Sequence, residues 1–428
     1  MSLAFILLIA IAVITFIIRV PIGYGLLSAG IVYLLVSHSD LGLASTTITT
    51  QLNAQFVLIA VPLFIFAAEI MNESTITDRL FDFANTVVGR FYGAMAQVNV
   101  LAAVVFSGMS GSAIADVSGI GVMGVKAMER QGYPKPYACA TVSAAATIGP
   151  IIPPSIPMVI YAAIAGTSVG ALFAGGILPG VIIAIALMIL IRFTAKRRGY
   201  PRGGVLSMRA VLVGFVAAFP ALLTPVVLLF GIYSGLFTPT EAAAVAALYA
   251  LVVAAVIYRA LPWSVFKKVI NGTVLRTGQT AMMIASAFLV NYAVVSEGVA
   301  ANLADLGQGL TSHPLLLFLL LNLIFLIAGM FLETVILQLI MVPLVLPLVR
   351  EAGIDLVAFG VIITLNQMIG LVTPPLGVSL FISGGLTKTP MGPIFKEILP
   401  YIAVLITVVV LLTVFPQIVL VVPHALGY

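Results

Sequence analysis

The sequence predicts an all-α polytopic membrane protein with about ten membrane spans and two re-entrant helical hairpins, arranged as an inverted repeat. Of its 428 residues, 62% are hydrophobic and 8% are charged, against roughly 25% charged in a soluble domain. Its apolar runs have about the 17 to 25 residues that a helix needs to cross the hydrocarbon, whereas barrel strands alternate over about 10 residues. The same spacing of glycines and prolines also occurs twice along the chain.

The apolar runs define the predicted spans in chain order. They are residues 2–18, 21–37, 54–72, 136–168, 170–192, 210–232, 240–258, 278–296, 355–385 and 398–420. The fourth and ninth spans are broken by double prolines, because proline lacks an N–H and excludes helical geometry from the residue before it. No charged segment precedes the first span and no small-residue cleavage site follows it, so we expect it to be retained in the membrane.

Two further segments, 91–130 and 314–350, each contain two apolar arms around a sharp tip and are predicted to be the re-entrant hairpins. The mixed stretch between Asn72 and Arg90 suits a helix along the membrane interface. Its counterpart before the second hairpin is Glu297 to His313.

Loop charge predicts the orientation, because Lys and Arg concentrate on the cytoplasmic side. Six basic residues lie in 192–209 and four in 259–276, so both loops should be cytoplasmic. The mouth of the first hairpin then faces the cytoplasm, together with Arg19 and Lys388. The mouth of the second hairpin, near Arg350, faces the other side. Both termini and the loop 38–50, which lacks Lys and Arg, are predicted to be periplasmic.

An internal repeat aligns without gaps at an offset of 221 residues. It pairs Gly108 with Gly329, Gly132 with Gly353, Gly149 with Gly370, and Pro153-Pro154 with Pro374-Pro375. Because the two hairpins open on opposite faces, the copies should be inverted. The predicted units are N-terminal scaffold helices and arm (1–90), first repeat (91–180), scaffold helices with basic loops (181–277), scaffold helix and second arm (278–313), second repeat (314–401) and the end of the last span (402–428).

The tips and breaks contain the polar groups of the repeats. The first tip has Ser107, Gly108, Ser110, Ser112 and Asp116, the first break Thr147, Gly149, Pro150 and Ser155, the second tip Glu333 and Thr334, and the second break Asn366, Gly370, Thr373 and Ser379. Broken helices offer free carbonyls to cations and N-terminal dipoles to anions. Each half therefore predicts a site for a hard monovalent cation beside a shared anion pocket. Asp116 aligns with Leu337 and Glu333 with Ser112, so we expect similar backbones with different ligands.

Structural roles compete with these assignments. Glycine-serine runs serve close helix packing, and Asp116 or Glu333 could pair with a backbone donor. Glu241, a supporting candidate with Ser168, also reads as part of a helix cap with Thr240 or Thr238. We expect Glu69 and Glu297 to be interfacial. Neither tip carries Arg or Lys, so an anion would depend on helix N-termini, hydroxyls and bound cations.

The sequence supports other functional classes less well. A cation/proton exchanger or channel without an organic substrate stays open as the alternative. A permease subunit driven by a partner ATPase also stays open, although the chain itself has no Walker A motif. The three histidines lie outside the predicted core, so we expect no enzyme. No basic stripe with interleaved aromatics indicates nucleic-acid binding, and one cysteine, Cys139, excludes an internal disulfide.

The chain resembles the large membrane (M) subunit of the tripartite ATP-independent periplasmic (TRAP) transporters, the DctM-like family. The resemblance lies in residues 107–121, Arg130-Gly132-Tyr133, 149–155, 172–180, 235–242, 329–331 and 373–375. It implies an elevator-type architecture and sodium-driven import of an organic acid, such as sialic acid, another sugar acid or a C4-dicarboxylate, across a bacterial inner membrane.

The same resemblance implies two protein partners: a small membrane subunit (Q type), expected here as a separate chain, and a periplasmic substrate-binding protein (P type). Carried over onto this sequence, Ser110, Asp116, Glu241 and Glu333 are the positions most expected to matter.

Overall fold

The computed structural model describes residues 2–18, 20–74, 76–89, 91–202, 207–299, 309 and 311–428, with the backbone alone at Met109 and Ser110. This described part is helical and contains no strand. Seven of its helical segments are long and apolar enough to cross a membrane: Phe56–Glu73, Val169–Arg198, Met208–Tyr233, Pro239–Ile257, Trp263–Ser296, Thr334–Glu351 and Met391–Val414. Shorter apolar helices supply the first two spans, the first arm of each hairpin, the second half of the first broken helix and both halves of the second.

The helices are numbered here in chain order. They are α1 (Leu3–Ile17), α2 (Ile22–Val36), α3 (Gly42–Ala54), α4 (Ala60–Glu73), α5 (Ile76–Val88), α6 (Ala94–Ser110), α7 (Ala113–Asp116), α8 (Val122–Arg130), α9 (Lys135–Ala146), α10 (Ile156–Ala165), α11 (Val169–Arg198), α12 (Met208–Tyr233), α13 (Pro239–Val252), α14 (Trp263–Ser296), α15 (Pro314–Gly329), α16 (Thr334–Glu351), α17 (Leu356–Gly370), α18 (Val378–Thr387), α19 (Met391–Val414) and α20 (Gln417–Ala425).

The glycine and proline positions that predicted the helix interruptions agree with these boundaries. The first hairpin is α6 followed by α7 and α8, and the second is α15 and α16. The first broken span divides into α9 and α10, and the second into α17 and α18. Both double prolines lie in the breaks, and both Pro-Pro peptide bonds are cis. The paired Gly132 and Gly353 both have positive φ, 86° and 66°, at turns that end a hairpin arm.

Three boundary predictions were wrong. The segment 38–50 is not a plain loop, because α3 begins at Gly42. The last span does not run over 398–420: α19 ends at Val414, before Pro416, and α20 follows separately. The span 278–296 is the C-terminal part of a 34-residue helix that begins at Trp263. Of the predicted second arm, residues 300–308 and 310 lie outside the described part.

The two repeats pack in the same crossed arrangement. In each, the first hairpin arm contacts the first half of its own broken helix: α6 with α9, and α15 with α17. The second arm also contacts this first half, and in addition the second half of the other repeat's broken helix. Thus α16 packs on α10, while α7 and α8 with the π-helical turn between them pack on α18. The first halves, α9 and α17, are buried over most of their length.

The long helix α14 lies beside this assembly and contacts α2, α4 and α16. Its Arg276 Nε lies 2.5 Å from Oε1 of Glu69 on α4. The Glu69 side chain is only 6% exposed, so it is buried in an ion pair. Its interfacial position stays a prediction. Burying a carboxylate without a partner is costly, and Arg276 supplies that partner.

A close backbone contact joins the second hairpin to the second break. A Cβ on Gly370 would lie 2.5 to 2.7 Å from backbone atoms of Gly329. We expect Gly370→Ala to destabilise the protein by about 1–3 kcal/mol, because two backbones rather than a flexible side chain would have to separate. Thermal unfolding of the detergent-solubilised protein, followed by circular dichroism, measures the effect.

The matched control is Gly385→Ala in α18, where a Cβ meets nothing within 4 Å. It should leave the melting temperature unchanged or raise it, since alanine favours helix more than glycine does. Equal losses in the two variants would contradict the proposed role of the contact.

Candidate functional site

Both hairpin tips and both helix breaks meet at one cavity of about 90 Å³. The first repeat contributes residues 111–114 of its tip together with Pro150, Ile156 and Pro157 at its break, and the second contributes Glu333, Thr334 and Val335 of its tip with Met368 and Leu371 at its break. Thr280 and Met283 of α14 complete the lining. We call this space the tip cavity.

Ser112 and Glu333 occupy equivalent places in the two tips. The Ser112 hydroxyl accepts a hydrogen bond from the Ala115 N–H at 3.4 Å, and the Glu333 carboxylate accepts one from the Val335 N–H at 3.0 Å. Each side chain therefore caps the helix of the second arm, whose first N–H groups have no partner within the helix. The positive ends of two helix dipoles thus begin at the wall of the tip cavity.

Glycine allows the first tip to approach its break. Gly111 has φ of +57°, and a Cβ there would lie 2.7 Å from the Pro154 carbonyl oxygen. Ser155 bridges the break, since its hydroxyl donates to the Pro150 carbonyl at 2.5 Å and accepts from the Met158 N–H at 3.2 Å.

Asp116 does not line the tip cavity. It borders a separate space of about 20 Å³ with Asn99 of α6 and Val142 of α9. The carboxylate lies against Gly149, where a Cβ would collide with it. The predicted pairing of Asp116 with the first break is therefore present, but this group is apart from the space that Ser112 and Glu333 share.

The second break contains a buried amide network. Asn366 donates to the carbonyl oxygen of Asn322 at 2.6 Å and to its side-chain oxygen at 2.7 Å, and Asn322 donates to Thr413. Gln338 donates to Thr364 in the same region. These bonds tie α17 to α15 and α16, and α15 to α19, which gives the Asn366 side chain a structural role.

Several predicted hydroxyl groups donate within their own helices. Ser107, Thr147 and Thr373 bond the carbonyls of Val104, Ala144 and Ile369 at 2.6 to 2.7 Å. A hydroxyl that donates its proton keeps lone pairs that can accept or coordinate. Each of these three hydroxyl groups can therefore bind a further partner only through the lone pairs of its oxygen.

The remaining candidates differ in their surroundings. Ser379 is fully buried, and its hydroxyl has no hydrogen-bond partner within the described chain. Gly108 lies against Pro225 of α12. The Ser110 side chain lies outside the described residues. Ser168 caps α11 by accepting from the Ala171 N–H.

Glu241 forms the capping box of α13. The Thr238 hydroxyl accepts from the Glu241 N–H, and the Glu241 carboxylate accepts from the Thr238 N–H. The helix-cap interpretation is confirmed, with Thr238 rather than Thr240 as the cap.

Glu297 follows the end of α14. The hydroxyl and N–H of Ser2 donate to its carboxylate. Because the Ser2 hydroxyl and then its amide stabilise the charged form, the pKa of Glu297 is held below its usual range.

Sequence reasoning missed three contributors to this region. Thr280 and Met283 reach the tip cavity from α14, outside both repeats, where only Gly278 interrupts the helical pattern and no proline marks a break. Gln367, next to Asn366, is fully buried, and neither end of its amide has a partner in the described part of the chain. The sequence did offer a signal for Gln367, because a polar amide in an apolar helix about one turn before a break indicates a buried polar contact.

Comparisons with known proteins identify relatives over nearly the whole chain. The sequence profile of the family described as "Tripartite ATP-independent periplasmic transporter, DctM component" matches residues 8–418. The sialic acid TRAP transporter large permease protein SiaM of Vibrio cholerae is 39% identical over 95% of this chain and 96% of its own length. The C4-dicarboxylate TRAP transporter large permease protein DctM of Pseudomonas aeruginosa is 37% identical over 88% of each chain.

Two further matches extend this result. The sialic acid TRAP transporter permease protein SiaT of Haemophilus influenzae is 37% identical over 96% of this chain and 66% of its own length. The crystal structure of the Alcanivorax borkumensis YdaH transporter aligns with a TM-score of 0.63 at 15% identity, covering 88% of this chain and 87% of that chain. This last likeness is one of fold.

The contact between Asp116 and Gly149 predicts a thermodynamic coupling. We expect Gly149→Ala to lower the melting temperature, because its methyl group displaces the carboxylate. In an Asp116→Ala background the same substitution should cost less, giving a coupling of about 1 kcal/mol or more in a double-mutant cycle. Gly392→Ala, where a Cβ meets nothing within 4 Å, should be additive with Asp116→Ala. Strict additivity for Gly149 would contradict the contact.

Proposed function

This chain belongs to the DctM component family of the tripartite ATP-independent periplasmic transporters, and we propose that it is the large membrane subunit of a sodium-coupled importer of an organic acid. The supporting observation is the convergence of two hairpin tips and two helix breaks from opposite repeats on the tip cavity. Two helix N-termini and free carbonyl ends at one cavity suit an anion and its accompanying cations.

The substrate we propose is a sialic acid, another sugar acid or a C4-dicarboxylate, delivered by a periplasmic binding protein. Relatives at 39% and 37% identity are named for sialic acid and C4-dicarboxylate. We propose that a separate small membrane subunit completes the membrane part. The protein would reside in a bacterial inner membrane.

The mechanism we propose is an elevator. The hairpins and broken helices would move as one body against α14 and the other scaffold helices. The tip cavity, at about 90 Å³, is smaller than the roughly 300 Å³ at the lower end of small-molecule pockets. Substrate loading would therefore require the tips to separate from α14 or from each other.

The coupling ions would be held in two places with different side chains. In the first repeat the candidates are Ser107, Thr147, the Gly149 region and Asp116. In the second they are Glu333, Thr373, Ser379 and the carbonyls at Gly370. No cluster of three or more His, Cys, Asp or Glu side chains exists among the described residues, so backbone and hydroxyl oxygens would supply most ligands, as a hard monovalent cation accepts.

Uptake into proteoliposomes with the small subunit and binding protein tests the coupling. We expect uptake to require an inward Na⁺ gradient, and Asp116→Asn and Glu333→Gln each to raise the Na⁺ concentration at half-maximal rate about tenfold, because a ligand charge is lost. Glu129→Gln, at a surface carboxylate paired with Lys135, is the matched control and should leave this value unchanged. Undiminished uptake without a Na⁺ gradient would refute the coupling.

The proposed topology places both termini in the periplasm. A C-terminal alkaline phosphatase fusion should therefore be active in cells and a C-terminal green fluorescent protein fusion should be dark, while fusions after Arg198 should show the reverse. A fluorescent fusion at the C-terminus would invert the assigned orientation.

A further inference from the structure

We propose that a second cavity, between the scaffold and the two repeats, holds the carboxylate of the organic acid on its way to the tip cavity. Its volume is about 310 Å³, within the range of small-molecule pockets. The inference rests on the proposed function and adds an anion site, centred on Arg350, that lies apart from the tips and breaks. We call this space the outer cavity.

The outer cavity continues the wall of the tip cavity. Three helices line both spaces: α10, α14 and α16. The tip cavity contacts α10 at Ile156 and Pro157, and the outer cavity contacts it from Ile160 to Ile164. Since a helix rises 1.5 Å per residue, the two linings are about one turn apart. A molecule in the outer cavity therefore lies next to the tips, on the side where α16 ends.

The polar groups of the outer cavity suit a carboxylate. Arg350 is the only charged residue among the described residues that line it, and Gln51, Gln55 and Asn291 add three amides. The Asn291 side-chain oxygen is buried without a partner in the described chain; as an acceptor it suits a hydroxyl group of the acid rather than its carboxylate. Guanidinium and amide N–H groups are the donors that carboxylates prefer. The rest of the lining is mainly apolar, which fits the carbon skeleton of an organic acid.

The guanidinium is fixed by protein contacts. Its Nη2 donates to the Ala165 carbonyl at 3.0 Å, at the C-terminal end of α10. This bond uses one N–H and leaves others for a ligand. Two carboxylates lie nearby in sequence: Glu351 accepts from Thr311, and Asp355 caps α17 through the Val357 and Ala358 N–H groups. Neither lines the outer cavity.

The two sides of the outer cavity belong to different parts of the proposed elevator. Gln51, Gln55 and Asn291 lie on the scaffold elements, while Arg350 and Ile160 lie on the repeats. A carboxylate bridging them would be held only in the conformation that brings these parts together. The site would therefore hold its ligand transiently and release it as the repeats move.

Charged thiol reagents test the site without transport. In a Cys139→Ser background, Gln55→Cys should react faster with the anionic 2-sulfonatoethyl methanethiosulfonate than with the cationic 2-(trimethylammonium)ethyl reagent. Arg350→Gln should lower this rate ratio about tenfold, through loss of a nearby unit charge, and Arg350→Lys should keep most of it. Thr46→Cys, exposed on α3, which ends just before Gln55, lies outside the cavity; it is the control and should be unaffected. An unchanged ratio at Gln55→Cys would overturn the proposal.

Protection of the Gln55→Cys thiol from labelling distinguishes the possible occupants of the outer cavity. Millimolar N-acetylneuraminate or succinate should slow the anionic reagent at Gln55→Cys, and the neutral sugar N-acetylmannosamine should not. Protection by the periplasmic binding protein alone would assign the cavity to protein docking and overturn the proposal, as would no protection by either acid. Because labelling needs no Na⁺ gradient and no uptake, failure of sodium coupling would leave this result standing.

Discussion

The structure depends on how interrupted helices satisfy their backbone groups within the membrane. Every unpaired N–H or C=O in hydrocarbon costs several kcal/mol, so irregular chain is tolerated only where protein or a cavity meets it. Four interruptions occur here, at two tips and two breaks, and each faces another. Gly111 packs on the Pro154 carbonyl, Gly370 packs on Gly329, and Ser112 and Glu333 cap the helices that restart. The irregular backbone of both repeats is thereby gathered around the tip cavity.

The repeats share a backbone plan and differ in its chemistry. Positions 112 and 333 both cap a second arm, yet one is a hydroxyl and the other a carboxylate. Gly149 and Gly370 correspond as well, but the first lies against the Asp116 carboxylate and the second against the backbone of Gly329. A duplicated frame can therefore provide two unlike oxygen sites, because backbone geometry is set by glycine and proline while ligand identity is set by single side chains.

The sequence predicted the features that are set by residues close together in the chain. It did not predict the contacts between residues that are far apart in the chain. Double prolines and glycines located both hairpins and both broken helices, since their effect on φ and hydrogen bonding is confined to a few residues. The same logic identified Glu241 as part of a cap. Nothing local revealed that Glu69 pairs with Arg276, or that Asp116 faces a space separate from the tip cavity. The helix beginning at Gly42 was missed because its Thr-rich sequence has weak helix propensity.

The crossed packing of the repeats restricts how the molecule can deform. Because α16 is seated on α10 and the second arm of the first hairpin on α18, each repeat holds half of the other's broken helix. Neither copy can tilt alone without opening a void in both. This packing supports the proposed elevator, in which both repeats would move together. A substitution that changes the packing surface of one repeat must be matched by a change in the other repeat. A substitution of a side chain that faces a cavity needs no such match, so the two repeats can differ in their ligand side chains while they keep complementary surfaces.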